Sequence, residues 1–248
     1  MTDGAFDTEV AARYDRDVAE RFEPEHLDRT VDLLAELASG RPVLEFAVGT
    51  GRIALPLAAR GVEVHGIELS GAMVAEMRRK PGGADIPVTI GDMATTRVRS
   101  NTDDGSFGLV ALVFNTITNL LTQAEQVACF RNAAAHLRPG GHFVIETGIP
   151  RIQHLPVGER FIPFEVTPEH IGIDEFDLAT QRSTSHHYWI ADGDAATFSS
   201  HHRYAWPAEY DLMAELAGMT LTHRWADWTR TPFTSESAAH ISVWSTAQ

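Results

Sequence analysis

Glycines and acids recur where apolar runs end in the first hundred residues. The run Val43–Phe46 contains an acid, Glu45, and leads into Gly49-Thr50-Gly51, while later runs end at Glu68 and at Gly91-Asp92-Met93. Glycine permits positive φ and lets a ligand approach the backbone without a Cβ in the way. A helix that follows such a turn presents free N–H groups and the positive end of its dipole. These residue types predict a site for a ligand that bears a ribose, a carboxylate or a phosphate.

Two cofactor classes use a turn of this kind. The dinucleotide fingerprint Gly-x-Gly-x-x-Gly tolerates Ala54 at its third position, and the acid expected about 20 residues later is supplied by Glu68, so NAD stays open at this point. A charge on Glu45 would repel a pyrophosphate and attract a cation. S-adenosylmethionine carries an ammonium and a sulfonium and no phosphate, and its adenine amino group could donate to Asp92. The acids therefore favour S-adenosylmethionine.

With Leu137-Arg138-Pro139-Gly140-Gly141, these motifs stand in the order seen in class I S-adenosylmethionine-dependent methyltransferases, which the chain resembles over residues 14–148. The resemblance implies S-adenosylmethionine as cofactor, with Glu68 accepting from the ribose hydroxyls and Asp92 holding adenine. One departure is Ala47, where family members often have glycine. The implied cofactor contacts are Tyr14, Glu45, Ala47, Gly49, Gly51, Glu68, Leu69, Met73, Gly91, Asp92, Met93 and Phe114.

The acceptor is expected beside the end of the fourth strand, under whatever covers it. Phe114-Asn115 ends that strand, Asn119 follows, and the N-terminal helix offers Tyr14 and Phe6. An aromatic face beside a sulfonium or ammonium stabilises it by roughly 0.5–2 kcal/mol. We predict Tyr14 as a catalytic residue, and Phe6, Phe114, Asn115 and Asn119 as substrate-binding residues. Within the family, the N-terminal helix and a β insertion resemble small-molecule enzymes that N-methylate natural products, which implies a small-molecule acceptor.

Acceptor chemistry separates the alternatives. A neutral amine needs orientation and loss of a proton, whereas a hydroxyl usually needs a positioned histidine or a metal. The pairs His186-His187 and His201-His202 are adjacent on predicted strands, so their members point to opposite faces and predict no metal site. His154 and His170 lie in predicted loops, and either could be a base. An O-methyltransferase, a cofactor-binding protein without transferase activity and an NAD-dependent reductase stay open, although the only lysine, Lys80, cannot complete a Tyr-x-x-x-Lys pair.

Composition limits the partners and the compartment. The chain has 248 residues, 44% of them hydrophobic, and a net charge of −14, which argues against nucleic acid as a partner. Cys129 is the only cysteine, so no internal disulfide can form and a reducing compartment is expected. No run of 18 apolar residues suggests a membrane span. We expect a cytoplasmic protein with no nucleic-acid or membrane partner.

Alternating apolar strands and amphipathic helices predict an α/β fold: a Rossmann-like, mostly parallel seven-stranded sheet with helices on both faces. Residues 1–40 are predicted to form an N-terminal helical cap, 42–149 the cofactor-binding core, and 150–206 an antiparallel β insertion after strand five. Residues 207–248 supply the last helix and two strands of a single domain. Asp192-Gly193 predicts a hairpin turn, and the insertion could form a homo-oligomer surface. Predicted helices span 8–22, 24–38, 52–60, 71–79, 122–137 and 207–217; predicted strands span 43–47, 62–68, 88–90, 107–114, 142–147, 160–166, 171–178, 181–190, 196–204, 220–227 and 240–245.

Overall fold

The computed structural model of the chain describes residues 8–191 and 194–248. Phe6 and the Asp192-Gly193 turn, both named by the sequence analysis, lie outside these ranges. The helices are α1 Thr8–Asp17, α2 Pro24–Ala38, α3 Ala54–Ala59, α4 Gly71–Arg78, α5 Gln123–His136 and α6 Pro207–Leu216. The strands are β1 Val43–Phe46, β2 Val64–Glu68, β3 Val88–Ile90, β4 Phe107–Leu112, β5 Leu137–Gly148, β6 Phe161–Val166, β7 His170–Asp177, β8 Arg182–Ala191, β9 Asp194–Arg203, β10 Met219–Trp225 and β11 Ala239–Thr246.

The main sheet has seven strands in the order β10-β11-β5-β4-β1-β2-β3. Strands β3, β2, β1, β4 and β5 are parallel, and β11 pairs antiparallel with both β5 and β10. Every residue of β1, β2 and β4 is buried, as expected for parallel strands covered by helices on both faces. The predicted Rossmann-like sheet is confirmed.

Two apolar clusters hold the helices on the sheet. On one face, Phe130 of α5 and Tyr210 of α6 pack on Phe143 and Trp244, with ring centroids of Phe130 and Trp244 5.2 Å apart. On the other face, α2 contributes Leu34 to a cluster that includes residues of β1 and α3. Each large apolar side chain that is fully buried contributes about 1.5–3 kcal/mol. The sheet is therefore a rigid platform for the loops at its carboxyl edge.

A polar joint fixes the four-stranded antiparallel insertion, β6-β7-β8-β9, to the main body. The buried Arg203 guanidinium, at the end of β9, donates to Gln126 Oε1 at 2.5 Å and to Glu209 Oε1 at 2.6 Å. The Gln126 amide donates to the carbonyl of Ile117 at 3.2 Å, in the loop after β4. Because a buried guanidinium must keep its partners, this joint sets how the insertion lies over that loop.

Several predicted boundaries were wrong, and three of them are informative. The first helix ends at Asp17, and a short 3₁₀ turn at residues 19–22 replaces its predicted end. Strand four ends at Leu112 because Phe114 and Asn115 take left-handed φ of 58° and 59°, which no strand accommodates. Strand five begins at Leu137 rather than at residue 142, since Leu137 pairs with Phe107 of β4.

Candidate active site

A cavity of about 390 Å³ lies at the carboxyl ends of β1, β2, β3 and β4, where the strand order reverses. Such a switch point is where ligands bind in open α/β sheets, and the volume is in the range of small-molecule sites. Helix α1 and the insertion cover it. The lining residues are Tyr14, Val18, Ala47, Gly49, Ile67, Glu68, Leu69, Ser70, Met73, Gly91, Asp92, Met93, Phe114, Asn115, Thr116, Thr118, Asn119, His187, Ser200 and His202.

Glu68 is fixed at the end of β2. Its Oε2 accepts from the backbone N–H of Gly49 at 2.9 Å, and its Oε1 accepts from that of Ser70 at 2.9 Å. Gly49 has φ 57°, and Ala47 takes φ 53°, an unusual conformation for alanine. The positive φ at position 47 explains why glycine is common there in the family that the sequence resembles. The turn after β1 is thus held against the end of β2.

Asp92 stands at the end of the neighbouring β3. Its Oδ1 accepts from the backbone N–H of Ala94 at 2.7 Å, which closes a tight turn, and its side chain is half-buried at the cavity. A Cβ on Gly91 would lie 2.2 Å from Thr96 Oγ1, so glycine is needed there for packing. Met93 is buried and forms part of the apolar wall. Glu68 and Asp92 therefore share one end of the cavity.

The structure places Glu45 and Gly51 behind the turn, not among the residues that line the cavity. A Cβ on Gly51 would lie 2.6 Å from Met77 Cγ, so this glycine permits close packing of α4. Glu45 is buried, and its Oε2 has no hydrogen-bond partner within the described residues. Burial raises the pKa of its carboxyl to about 8, although Arg52 opposes the shift. The sequence argument that Glu45 carries a charge into the turn is therefore wrong at neutral pH.

Helix α1 is tied to the cofactor turn by the single lysine of the chain. Thr50 Oγ1 donates to Asp15 Oδ1 at 2.5 Å, and Lys80 forms an ion pair with Asp15. The Lys80 ammonium also donates to the Thr50 carbonyl at 2.8 Å. This ion pair was not predicted, because its partners are distant in sequence. It holds Tyr14, one position before Asp15, over the cavity.

The end of β4 is held in its unusual conformation by β5. The backbone N–H of Phe114 donates to Glu146 Oε2 at 2.8 Å, and that of Asn115 donates to the Glu146 carbonyl at 2.9 Å. Asn115 Oδ1 accepts from Thr147 Oγ1 at 2.6 Å. The Arg52 guanidinium lies 5.3 Å from the centroid of the Phe114 ring, on which it packs. Phe114, Asn115 and Asn119, which the sequence analysis predicts to bind the substrate, all line the cavity.

The insertion contributes a wall that sequence reasoning missed. His187 of β8 and Ser200 and His202 of β9 line the cavity. His202 lies 3.2 Å from Thr118 Oγ1 through Nδ1 and 2.9 Å from Ser200 Oγ through Nε2. Burial lowers the pKa of His202 to about 4, so the ring is neutral at physiological pH. One member of each predicted histidine pair thus faces the cavity. The alternation was visible in the sequence, but the docking of the insertion was not.

Comparisons with known proteins decide the family. The family described as "Methyltransferase domain" matches residues 43–141. The structure of the CcbJ methyltransferase from Streptomyces caelestis is 34% identical, with a TM-score of 0.86 and coverage of 100% of both chains. The chain belongs to the class I S-adenosylmethionine-dependent methyltransferases. S-adenosylmethionine is its methyl donor, and the NAD-dependent reductase is excluded.

Two curated methyltransferases extend this comparison. The cypemycin N-terminal methyltransferase of a Streptomyces species is 27% identical over 82% of this chain and 82% of its own. The dTDP-3-amino-3,6-dideoxy-alpha-D-glucopyranose N,N-dimethyltransferase of Streptomyces fradiae is 26% identical over 79% of this chain and 74% of its own.

Among the residues that the structure of the present chain describes, no helix has the length and apolar character needed to cross a membrane.

Proposed function

We propose that this methyltransferase transfers the methyl group to an amine nitrogen of a small natural product. Of the two curated relatives described above, one is named an N,N-dimethyltransferase of an amino sugar and the other an N-terminal methyltransferase. The observation that carries the proposal is the charge of the cavity wall. No lysine or arginine is found among its described lining residues, and its only carboxylates, Glu68 and Asp92, stand at one end. If the methyl acceptor were a phenolate or a carboxylate, no cation would stabilise its charge there. An amine can instead donate hydrogen bonds to neutral groups of the cavity wall.

The residues at the carboxylate end fit the adenosyl group. Glu68 and Asp92 offer carboxylate oxygens to ribose hydroxyls and to the adenine amino group, and Met73 and Met93 supply apolar surface. A carboxylate has about four lone-pair sites, so the bonds from Gly49 and Ser70 to Glu68 and from Ala94 to Asp92 leave acceptor capacity on each acid. When bound, S-adenosylmethionine supplies an electrophilic methyl group on a positively charged sulfur.

The chain's own contribution to catalysis would be placement and exclusion of water. Tyr14 and Phe114 would place aromatic rings beside the reacting centre, and an aromatic face stabilises a neighbouring cation. Asn115 and Asn119 would orient the acceptor nitrogen. Its lone pair must approach to about 3–3.5 Å along the line of the breaking bond. Helix α1 and the insertion close the cavity from two sides, which keeps solvent away from the reacting atoms.

The test is turnover with S-adenosylmethionine whose methyl group carries ¹³C. Acceptors would include dTDP-3-amino-3,6-dideoxy-alpha-D-glucopyranose, trialanine with a free N-terminus, and a phenol of similar size. The proposal expects the labelled methyl group on nitrogen. The ¹³C chemical shift of that methyl group identifies the atom that carries it, and the mass of the product confirms the transfer. Label on oxygen alone would contradict it and would support the O-methyltransferase alternative.

Self-association is a separate proposal. The outer face of the insertion exposes Tyr188 and Ile190, which alternate with His187 and Trp189 along β8. Exposed apolar side chains on one face of a sheet are typical of association surfaces. Light scattering of the purified protein, with Tyr188→Ser and Ile190→Ser together as the disrupting variant, tests whether the chain forms oligomers through this face.

A further inference from the structure

A row of three polar side chains runs from the cavity wall through the insertion. His187 Nδ1 lies 3.0 Å from His170 Nε2, and His170 Nδ1 lies 2.9 Å from Glu165 Oε2. The two imidazole planes are 3° apart, with ring centroids 5.1 Å apart. Each ring nitrogen is about 1 Å from its centroid, so a 3.0 Å contact between coplanar rings is in line with the hydrogen bond. The rings therefore meet edge to edge, as proton transfer between them requires.

The hydrogen bonds determine which group donates and which accepts at each step of this row. A carboxylate only accepts, so the tautomer of His170 that satisfies this contact carries its proton on Nδ1 and donates to Glu165. Its Nε2 is then an acceptor, and His187 must donate from Nδ1. The remaining nitrogen, His187 Nε2, carries a lone pair. None of the hydrogen bonds among the described residues uses that nitrogen, and the ring lines the cavity.

Burial increases from Glu165, at the outer end of the row, to His170. The side chain of Glu165 is 48% exposed and that of His170 is 15% exposed. Burial lowers the pKa of His187, with His170 as the next cause, and the neighbouring acids Asp174 and Glu165 oppose the shift. His187 is thus neutral near pH 7, which is the form that accepts a proton. His186 also disfavours a charge on His187, whereas the neighbouring His202 is neutral at this pH.

We propose that His187 is a catalytic base of the methyl transfer, with His170 and Glu165 as positioning residues that carry the proton to the surface. This inference rests on the proposed amine acceptor. The acceptor enters as an ammonium, one N–H bond breaks, and its electron pair stays on nitrogen as the lone pair that attacks the methyl carbon. As the N–C bond forms, the bond between that carbon and sulfur breaks and its electron pair stays on sulfur. The proton forms a bond to His187 Nε2. The Nδ1 proton passes to His170, whose own Nδ1 proton passes to Glu165 and then to water.

The first experiment compares pH profiles of turnover for the wild type and His187→Asn, with whichever amine the wild type methylates. With His187, a bound ammonium loses its proton inside the complex, so the acidic limb follows the histidine. Without it, only molecules that arrive as free amine react. An α-amine has a pKa of about 8, so about 1% is neutral at pH 6. His187→Asn should therefore lose up to about 100-fold in kcat at pH 6 and be close to the wild type at pH 9.

The positioning residues and a matched control complete this series. His170→Asn and Glu165→Gln should shift the acidic limb in the same direction by a smaller amount, with KM little changed. His201→Asn removes an exposed histidine of β9, whose ring contacts Thr184 at 3.1 Å, and should keep the wild-type profile. If the wild type is active and His187→Asn has the same pH profile, His187 is not the catalytic base. That result would not contradict the proposed amine acceptor.

A second measurement needs no acceptor. Nitrogen NMR of ¹⁵N-histidine-labelled protein in complex with S-adenosylhomocysteine reports which ring nitrogen of His187 holds the proton, with His187→Asn giving the assignment. The proposal expects the proton on Nδ1, and a weaker hydrogen bond there in His170→Asn. A proton on Nε2 would make the cavity-facing nitrogen a donor and would overturn the proposal, whatever the acceptor is. Transfer to oxygen alone would instead refute the proposed function.

Discussion

Glu45→Gln should stabilise this methyltransferase at neutral pH, although it removes an acid from the cofactor turn. The Glu45 carboxyl is buried beside Arg52, and its Oε2 has no hydrogen-bond partner within the described residues. Burial raises its pKa from 4.5 to about 8. Glutamine keeps the shape and can still accept from the backbone N–H of Ala54. It removes only the cost of holding an ionisable group in this place.

The sign and the size follow from proton linkage. Between pH 4.5 and 8, the folded state holds the Glu45 proton more often than the unfolded chain does, so stability falls as the pH rises. With these two pKa values, the folded protein loses about 1 kcal/mol at pH 5 and about 3 kcal/mol at pH 7. For a chain of this size, 3 kcal/mol corresponds to a change in Tm of roughly 6–12 °C.

The assay is urea unfolding of the ligand-free wild type and Glu45→Gln at pH 5, 6, 7 and 8. The difference in unfolding free energy should grow with pH. Glu215→Gln serves as the control, because Glu215 is exposed and its replacement removes a carboxyl group without changing the cost of burying one. A difference that is the same at all four pH values would refute the reasoning, since it would mean that Glu45 titrates alike in both states.

Three further outcomes are expected. Lys80→Met removes the ion pair with Asp15 and should weaken S-adenosylhomocysteine binding about 5- to 30-fold, the equivalent of about 1–2 kcal/mol for a partly exposed charged contact; calorimetric titration in low and high salt checks this, with less loss in high salt. Asp92→Ala should cost about 1–3 kcal/mol of cofactor binding by leaving a buried donor unpaired, and an unchanged dissociation constant would remove Asp92 from the site. Tyr14→Phe should lower kcat more than cofactor affinity if the hydroxyl orients the acceptor; equal losses in steady-state kinetics and titration would place Tyr14 on the cofactor side.

The sequence predicts the sheet and the cofactor end because both depend on local patterns. Apolar runs predict buried parallel strands, and parallel strands end at one edge, so Glu68 and Asp92 had to lie near each other. The helix predicted to begin at residue 122 is likewise confirmed as α5, whose start is a capping box formed by Thr122 and Glu125. These signals require only residues that are close in sequence or strands that share a direction.

The cover of the cavity could not be predicted, because it depends on contacts between distant segments. The alternation in β8 and β9 shows that one histidine of each pair shares a face, but the joint at Arg203 decides that this face turns to the cavity. The ion pair between Asp15 and Lys80 and the break after α1 are of the same kind. The Glu45 charge was misjudged because sequence gives its type and not its burial.

The most direct test of this account is a crystal structure with S-adenosylhomocysteine and an amine acceptor. The account predicts adenosine between the carboxylates of Glu68 and Asp92, and the acceptor nitrogen between the product sulfur and His187. Adenosine bound outside this cavity, or an acceptor that approaches from a side away from the insertion, would contradict it.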